Sequence, residues 1–110
     1  VYRGGKGEHL EGGVRVDAYV RWKGTIEAGS SAMDIFHISD LYTTFARLAN
    51  ATDYIPRDRI VDGIEQSGIL LLGETNGRRD YIFNYEEYSL KSVVKNKRQT
   101  ICLTTTCRIK

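Results

Sequence analysis

The sequence predicts a mixed α/β fold that ends in a small antiparallel sheet, and three patterns carry that prediction. Residues 14–22, VRVDAYVRW, alternate apolar and polar side chains with the period of two that a half-buried strand requires. Residues 38–49 repeat apolar side chains at spacings of three and four, which gathers Ile38, Leu41, Tyr42, Phe45, Leu48 and Ala49 on one side of a helix. Beyond residue 80 the chain turns to short runs of aromatic and β-branched residues, the composition of a meander.

Taken in order, the first thirteen residues hold five glycines and read as a loop whose backbone turns tightly and comes close to something else. The strand follows, and residues 23–31, with Gly24 and Gly29, return the chain through a second loop. Ser39 is the natural N-cap of the helix, Asp40 suits the positive end of its dipole, and Asn50 is placed to stop it in a left-handed conformation. Residues 53–59, with Pro56, form a connection, and 60–63, IVDG, give a short extended piece and a turn. The apolar run 69–72 is too short to assign to helix or strand. Residues 73–80, GETNGRRD, centre on Asn76-Gly77 and read as a loop at a subdomain boundary. The runs 81–85, 90–94 and 100–105 then supply the strands of the meander.

At 110 residues the chain has the size of one small domain, which buries roughly 60–70% of the surface its unfolded form exposes. Apolar residues at 41%, charged residues at 27% and a single proline exclude the disordered, collagenous and disulfide-dense classes. No apolar run reaches the length of a signal peptide or membrane span. A net charge of +2 does not call for a polyanionic partner, although residues 88–110 carry six cations and no carboxylate. Cys102 and Cys107 form a C-x4-C pair without further Cys or a paired His, a weak zinc pattern, and read as two unpaired thiols.

The blocks GGKGEHLEGGVRV, AYVRWKGTIEAG, SDLYTTFARLANA, RIVDGIEQSGILLLGE and RRDYIF, in this order and spacing, resemble the carboxy-terminal third of sulfatases in the alkaline-phosphatase superfamily. The resemblance runs over about residues 2–95, and its most specific part is the glycine-framed Lys6 followed by Glu11-Gly12-Gly13-Val14-Arg15. It implies a carboxy-terminal fragment of a sulfuric ester hydrolase. Residues 1–74 would end the α/β/α sandwich of the catalytic domain, and 75–110 would begin a small antiparallel C-terminal subdomain. It also implies an exported parent that acts on sulfate esters with a calcium ion and a formylglycine made from Cys or Ser in a C/S-x-P/A-x-R motif. No such motif occurs in this sequence, and the family's metal ligands lie upstream of the lysine. The fragment is therefore expected to bind no metal, to be inactive alone, and to have the missing amino-terminal portion of the same protein as its partner. Asp17 stands where the family usually has proline, Asn50 where it usually has glycine, and the likeness stops after Lys95.

Lys6 is the one catalytic and substrate-binding residue that the resemblance carries over. Cleaving a sulfate ester builds negative charge on the sulfuryl and leaving oxygens, and a fixed ammonium within hydrogen-bond range lowers that barrier. Gly4, Gly5 and Gly7 clear side-chain bulk from around it. By residue chemistry alone a lysine among glycines is more often a solvated loop residue, and a P-loop needs Ser or Thr where Gly7 stands. His9 lies near enough to serve as an acid or base but reads as a partly exposed loop residue, since no family role maps onto it. Glu11 and Arg15 read as anchors of the loop's exit into the strand, and His37 as a packed or capping residue. The triplet Asn50-Ala51-Thr52 has the spacing of an N-glycosylation acceptor, a spacing that also arises by chance. A second function class, a freestanding anion- or nucleic-acid-binding module, would rest on Lys91, Lys95, Lys97, Arg98, Arg108 and Lys110. The tail lacks the interleaved aromatics of a stacking platform, so no nucleic-acid partner is expected.

Overall fold

The computed structural model describes residues 2–73 and 77–95 and the backbone of 98–101. The chain divides into two compact units: residues up to Tyr19 with those from Asp80 onward form one, and Val20–Arg79 the other.

In the first unit the glycine-rich loop leads into a single helical turn, α1 (Glu11–Val14). The later part of the sequence adds an antiparallel sheet of β1 (Tyr81–Glu86), β2 (Ser89–Lys95) and β3 (Arg98–Ile101), lying in that order. Glu87, in the two-residue connection between β1 and β2, takes a left-handed φ of 52°, which matches the twist of the flanking strands. Tyr81 faces Lys95 and Phe83 faces Val93 across the ladder, with an irregularity between Asn84 and Tyr85. Alternation sets Tyr81 and Phe83 on one side of β1, where their rings stack with centroids 5.9 Å apart. Ser92 and Val93 are buried, and the Ser92 hydroxyl accepts the Asn84 side-chain amide at 2.9 Å. The first two expected strands are thus present, and β3 begins two residues before the third expected run. Residues 102–105 of its third run lie outside the described residues, as do Asn76, both cysteines, Arg108, Lys110 and the side chains of Lys97 and Arg98.

The second unit holds α2 (Asp40–Leu48), a 3-10 turn (Thr52–Tyr54) and α3 (Ser67–Leu72). Asp40 governs the start of α2: its N–H donates to the His37 carbonyl at 2.9 Å, and its carboxylate accepts the His37 N–H at 2.9 Å. The bond from the His37 N–H to the Asp40 carboxylate is the back-bonding half of a capping box. Ser39 stands at the N-cap position as expected, but with helical dihedrals and no side-chain capping bond; its hydroxyl meets His37 Nδ1 at 2.7 Å instead. The stop at Asn50 is as expected, with φ of 53° and the Ala51 N–H donating to the Ala46 carbonyl at 2.8 Å. Residues left open by the sequence become α3, ended by Gly73 at φ of 63°, whose N–H reaches the Ile69 carbonyl.

Polar residues occupy the centre of this unit. The Asp40 carboxylate, 0% exposed, also accepts the Ile64 N–H at 2.8 Å and Arg79 Nε at 2.8 Å. Burial alone would raise its pKa. Hydrogen bonds from Arg79, Ile64 and His37, with the charge of Arg79, outweigh that and hold the carboxyl below its ordinary value of 3.8. Buried Thr44 accepts the Gln66 N–H at 3.0 Å, and the Gln66 side chain bonds the Ile35 carbonyl at 3.2 Å and the Arg78 N–H at 3.0 Å.

The expected helix forms, but the expected strand over 14–22 does not. The apolar stripe of α2 does not form a core: the helix buries Asp40, Thr43 and Thr44, while Tyr42 and Phe45 are more than half exposed. Directional bonds at Asp40 and Thr44 turn that edge inward and leave the opposite edge outward. Residues 14–22 do not form a strand either, since Val14 ends α1, residues 15–22 pair with no other strand, and Val16 and Tyr19 are 84% and 93% exposed. A strand requires a neighbour for its N–H and C=O groups, and no described residue supplies one. Among the described residues the buried apolar side chains are Ile69 and Val93.

Candidate functional site

Lys6 occupies the tip of a four-residue turn, 5–8. The Gly5 carbonyl accepts the Glu8 N–H at 3.0 Å, and the Glu8 carboxylate accepts the Gly5 N–H at 2.9 Å, so one pair of residues closes the turn twice. Gly7 stands third in the turn with φ of 92°, where a type II turn demands a positive value that a side chain would strain. Lys6 is left exposed, without a hydrogen bond or ion pair to another described residue.

The Glu-Gly-Gly run sets this turn on its support. Gly12 N–H donates to the Arg3 carbonyl at 2.9 Å, and a Cβ on Gly12 or Gly13 would collide with the Gly4 or Glu8 carbonyl oxygen. The two glycines therefore let the loop backbone lie directly on α1. Arg15 lies 3.5 Å from the Glu11 carboxylate, and its guanidinium is 4.3 Å from the centroid of the Tyr2 ring. The Glu8 clamp and the Tyr2 contact are additions that sequence reasoning missed. Neither residue type nor spacing marks them, although an acidic residue three places after a glycine can close a turn by bonding back to its N–H.

His9 belongs to the same loop, but its Nε2 lies 3.7 Å from the Glu86 carboxylate. Glu86 also pairs with Lys91 at 3.1 Å, and Lys91 first, then His9, hold its carboxyl below the ordinary carboxylate range. The lysine and the histidine thus have different surroundings. His37 serves the start of α2. In the second unit an apolar groove of about 410 Å³ is lined by Val20, Trp22, Ile26, Phe45, Leu48 and Leu71, among others.

An ammonium carried on a doubly hydrogen-bonded turn can contact an anion and stabilise charge that develops on it. It supplies neither nucleophile nor proton acceptor, and residues 2–15 contain no Ser, Thr or Cys.

No family model matches the chain, and no solved structure matches it. Curated proteins do. It is 37% identical over 93 residues to a steryl-sulfatase of Rattus norvegicus, a match covering 84% of this chain and 16% of that protein. It is 36% identical over 89 residues to an N-acetylgalactosamine-6-sulfatase of Mus musculus, covering 81% and 16% respectively. An arylsulfatase D of Homo sapiens is 30% identical over 86 residues, covering 77% and 14%. The chain is related to the sulfatases. This sulfatase relative spans 16% of the length of the rat protein, so it corresponds to a small part of such an enzyme. Because the three relatives differ in the substrates in their names, the likeness fixes the family and not the ester.

Proposed function

We propose that this chain is a carboxy-terminal part of a sulfuric ester hydrolase in which Lys6 binds the sulfate group. The observation that carries the reading is the doubly closed turn 5–8, which fixes the backbone of Lys6 while leaving its ammonium unengaged among the described residues. On this reading residues 1–74 end the catalytic domain and 75–110 begin its small C-terminal subdomain, within an exported parent. The outward edge of α2 and the unpaired segment 15–22 are what a piece of a larger domain would present.

Lys6 Nζ would donate to a sulfuryl oxygen, and its charge would offset the negative charge that grows there as the ester bond breaks. Formylglycine, when present in the parent, supplies the nucleophile. Among the described residues no group of three or more His, Cys, Asp or Glu is arranged to hold a metal ion. A freestanding anion- or nucleic-acid-binding module has no support: Lys91 is paired with Glu86, and Lys95 lies 4.9 Å from the Tyr81 ring centroid.

The test is made in the full-length parent with an aryl sulfate. Lys6→Ala is expected to lower kcat/KM by roughly 100- to 1000-fold, as loss of one charge-stabilising donor does. Unchanged kcat/KM would refute the assignment.

A further inference from the structure

We propose that Asn50 is an acceptor for an Asn-linked oligosaccharide in any chain that enters a compartment holding the transferase. The sequence contains one Asn-x-Ser/Thr triplet, Asn50-Ala51-Thr52, and its middle residue is not proline. The fold presents that triplet openly. The Ala51 N–H closes the end of α2 on the Ala46 carbonyl, which leaves Asn50 just past the helix in a left-handed conformation. Thr52 opens the 3-10 turn that follows. Asn50 and Thr52 are both exposed, and neither side chain bonds to another described residue. Glycine would serve the left-handed stop with less strain. Asparagine adds a carboxamide that nothing else in the unit uses. Asp53 and Tyr54 beside it are also exposed, so a bulky group on Asn50 would meet solvent rather than packed atoms.

In the transfer, Asn50 Nδ2 forms a bond to the anomeric carbon of an oligosaccharide carried on a lipid pyrophosphate. The bond from that carbon to the pyrophosphate oxygen breaks, the lipid pyrophosphate leaves with the electron pair, and the amide loses one proton. No oxidant or reductant is involved. Transfer to Asn50 requires neither Lys6 nor sulfate ester chemistry.

The experiment secretes the 110-residue chain from cultured mammalian cells behind a cleavable leader and weighs the leader-processed chain, from medium and cell lysate, before and after native treatment with peptide N-glycosidase. One oligosaccharide is expected, released without denaturation and leaving Asp at position 50. Asn50→Gln and Thr52→Ala should abolish it, and Thr52→Ser should retain it. Because the transfer precedes folding, variants that fold poorly still report. A leader-processed chain without sugar at Asn50 overturns the proposal, as does a glycan that the native treatment leaves in place and only denaturation exposes.

Discussion

At Lys6 the backbone, and not side-chain packing, decides where the charge goes: the Gly5–Glu8 bonds fix the turn, and no described group holds Nζ. Removing the side chain should therefore leave stability within about 0.5 kcal/mol, the usual range for surface changes. His9→Ala is the matched control in the parent and should cost far less turnover than Lys6→Ala, because the imidazole faces Glu86. If His9→Ala abolished turnover while Lys6→Ala spared it, the histidine would be the leaving-group acid and the lysine a bystander. Asp40 behaves oppositely, since it is buried against Arg79 and holds two backbone N–H groups. Asp40→Ala should cost about 3–5 kcal/mol, the range for stranding one member of a buried ion pair. Its folded pKa lies below 3.8, so its contribution is fully present above that value and is lost as pH falls through the folded value. Amide exchange at Ile64, followed down the acid range, should show protection fading there. An Asp40→Asn chain whose acid profile matched the original would count against this.

The elements that could be read from the sequence are those settled by near neighbours. The β1–β2 hairpin follows from runs of aromatic and β-branched residues, and α2 with its Asn50 stop follows from period and turn chemistry. Which edge of α2 faces inward was not legible, because the deciding bonds join Asp40 to Arg79, 39 positions away, and Thr44 to Gln66, 22 away. Residues 14–22 have a strand's pattern, but pairing is a property of two segments, and one segment's alternation cannot report the other's absence. Lys6 stood out only through family likeness, while the Glu8 clamp leaves no periodic mark at all. The pairing of α1 with the loop gives a prediction at this scale. Gly13→Ala places a methyl against the Glu8 carbonyl and should destabilise the loop by about 1–3 kcal/mol, as overpacking does. In the parent it should also lower kcat/KM with Lys6 untouched. Wild-type kinetics would mean that the turn tolerates displacement.

Across the whole molecule, Tyr42, Phe45, Val20 and Trp22 are exposed while Ile69 and Val93 are the buried apolar side chains described. Exposed apolar side chains favour association. The isolated chain should therefore self-associate or precipitate at concentrations used for sedimentation, and a monomer melting cooperatively above ~65 °C, the upper end for ordinary mesophile domains, would contradict this. The polar centre of the second unit has a calorimetric consequence. Apolar exposure raises the heat capacity of unfolding and polar exposure lowers it, so a unit held by Asp40, Thr44 and Gln66 should have an increment below the usual 12–15 cal/mol/K per residue, about what a packed domain shows. With so flat a dependence of enthalpy on temperature, cooling would do little to weaken it; acid, which discharges Asp40, would take it apart far more readily than cold.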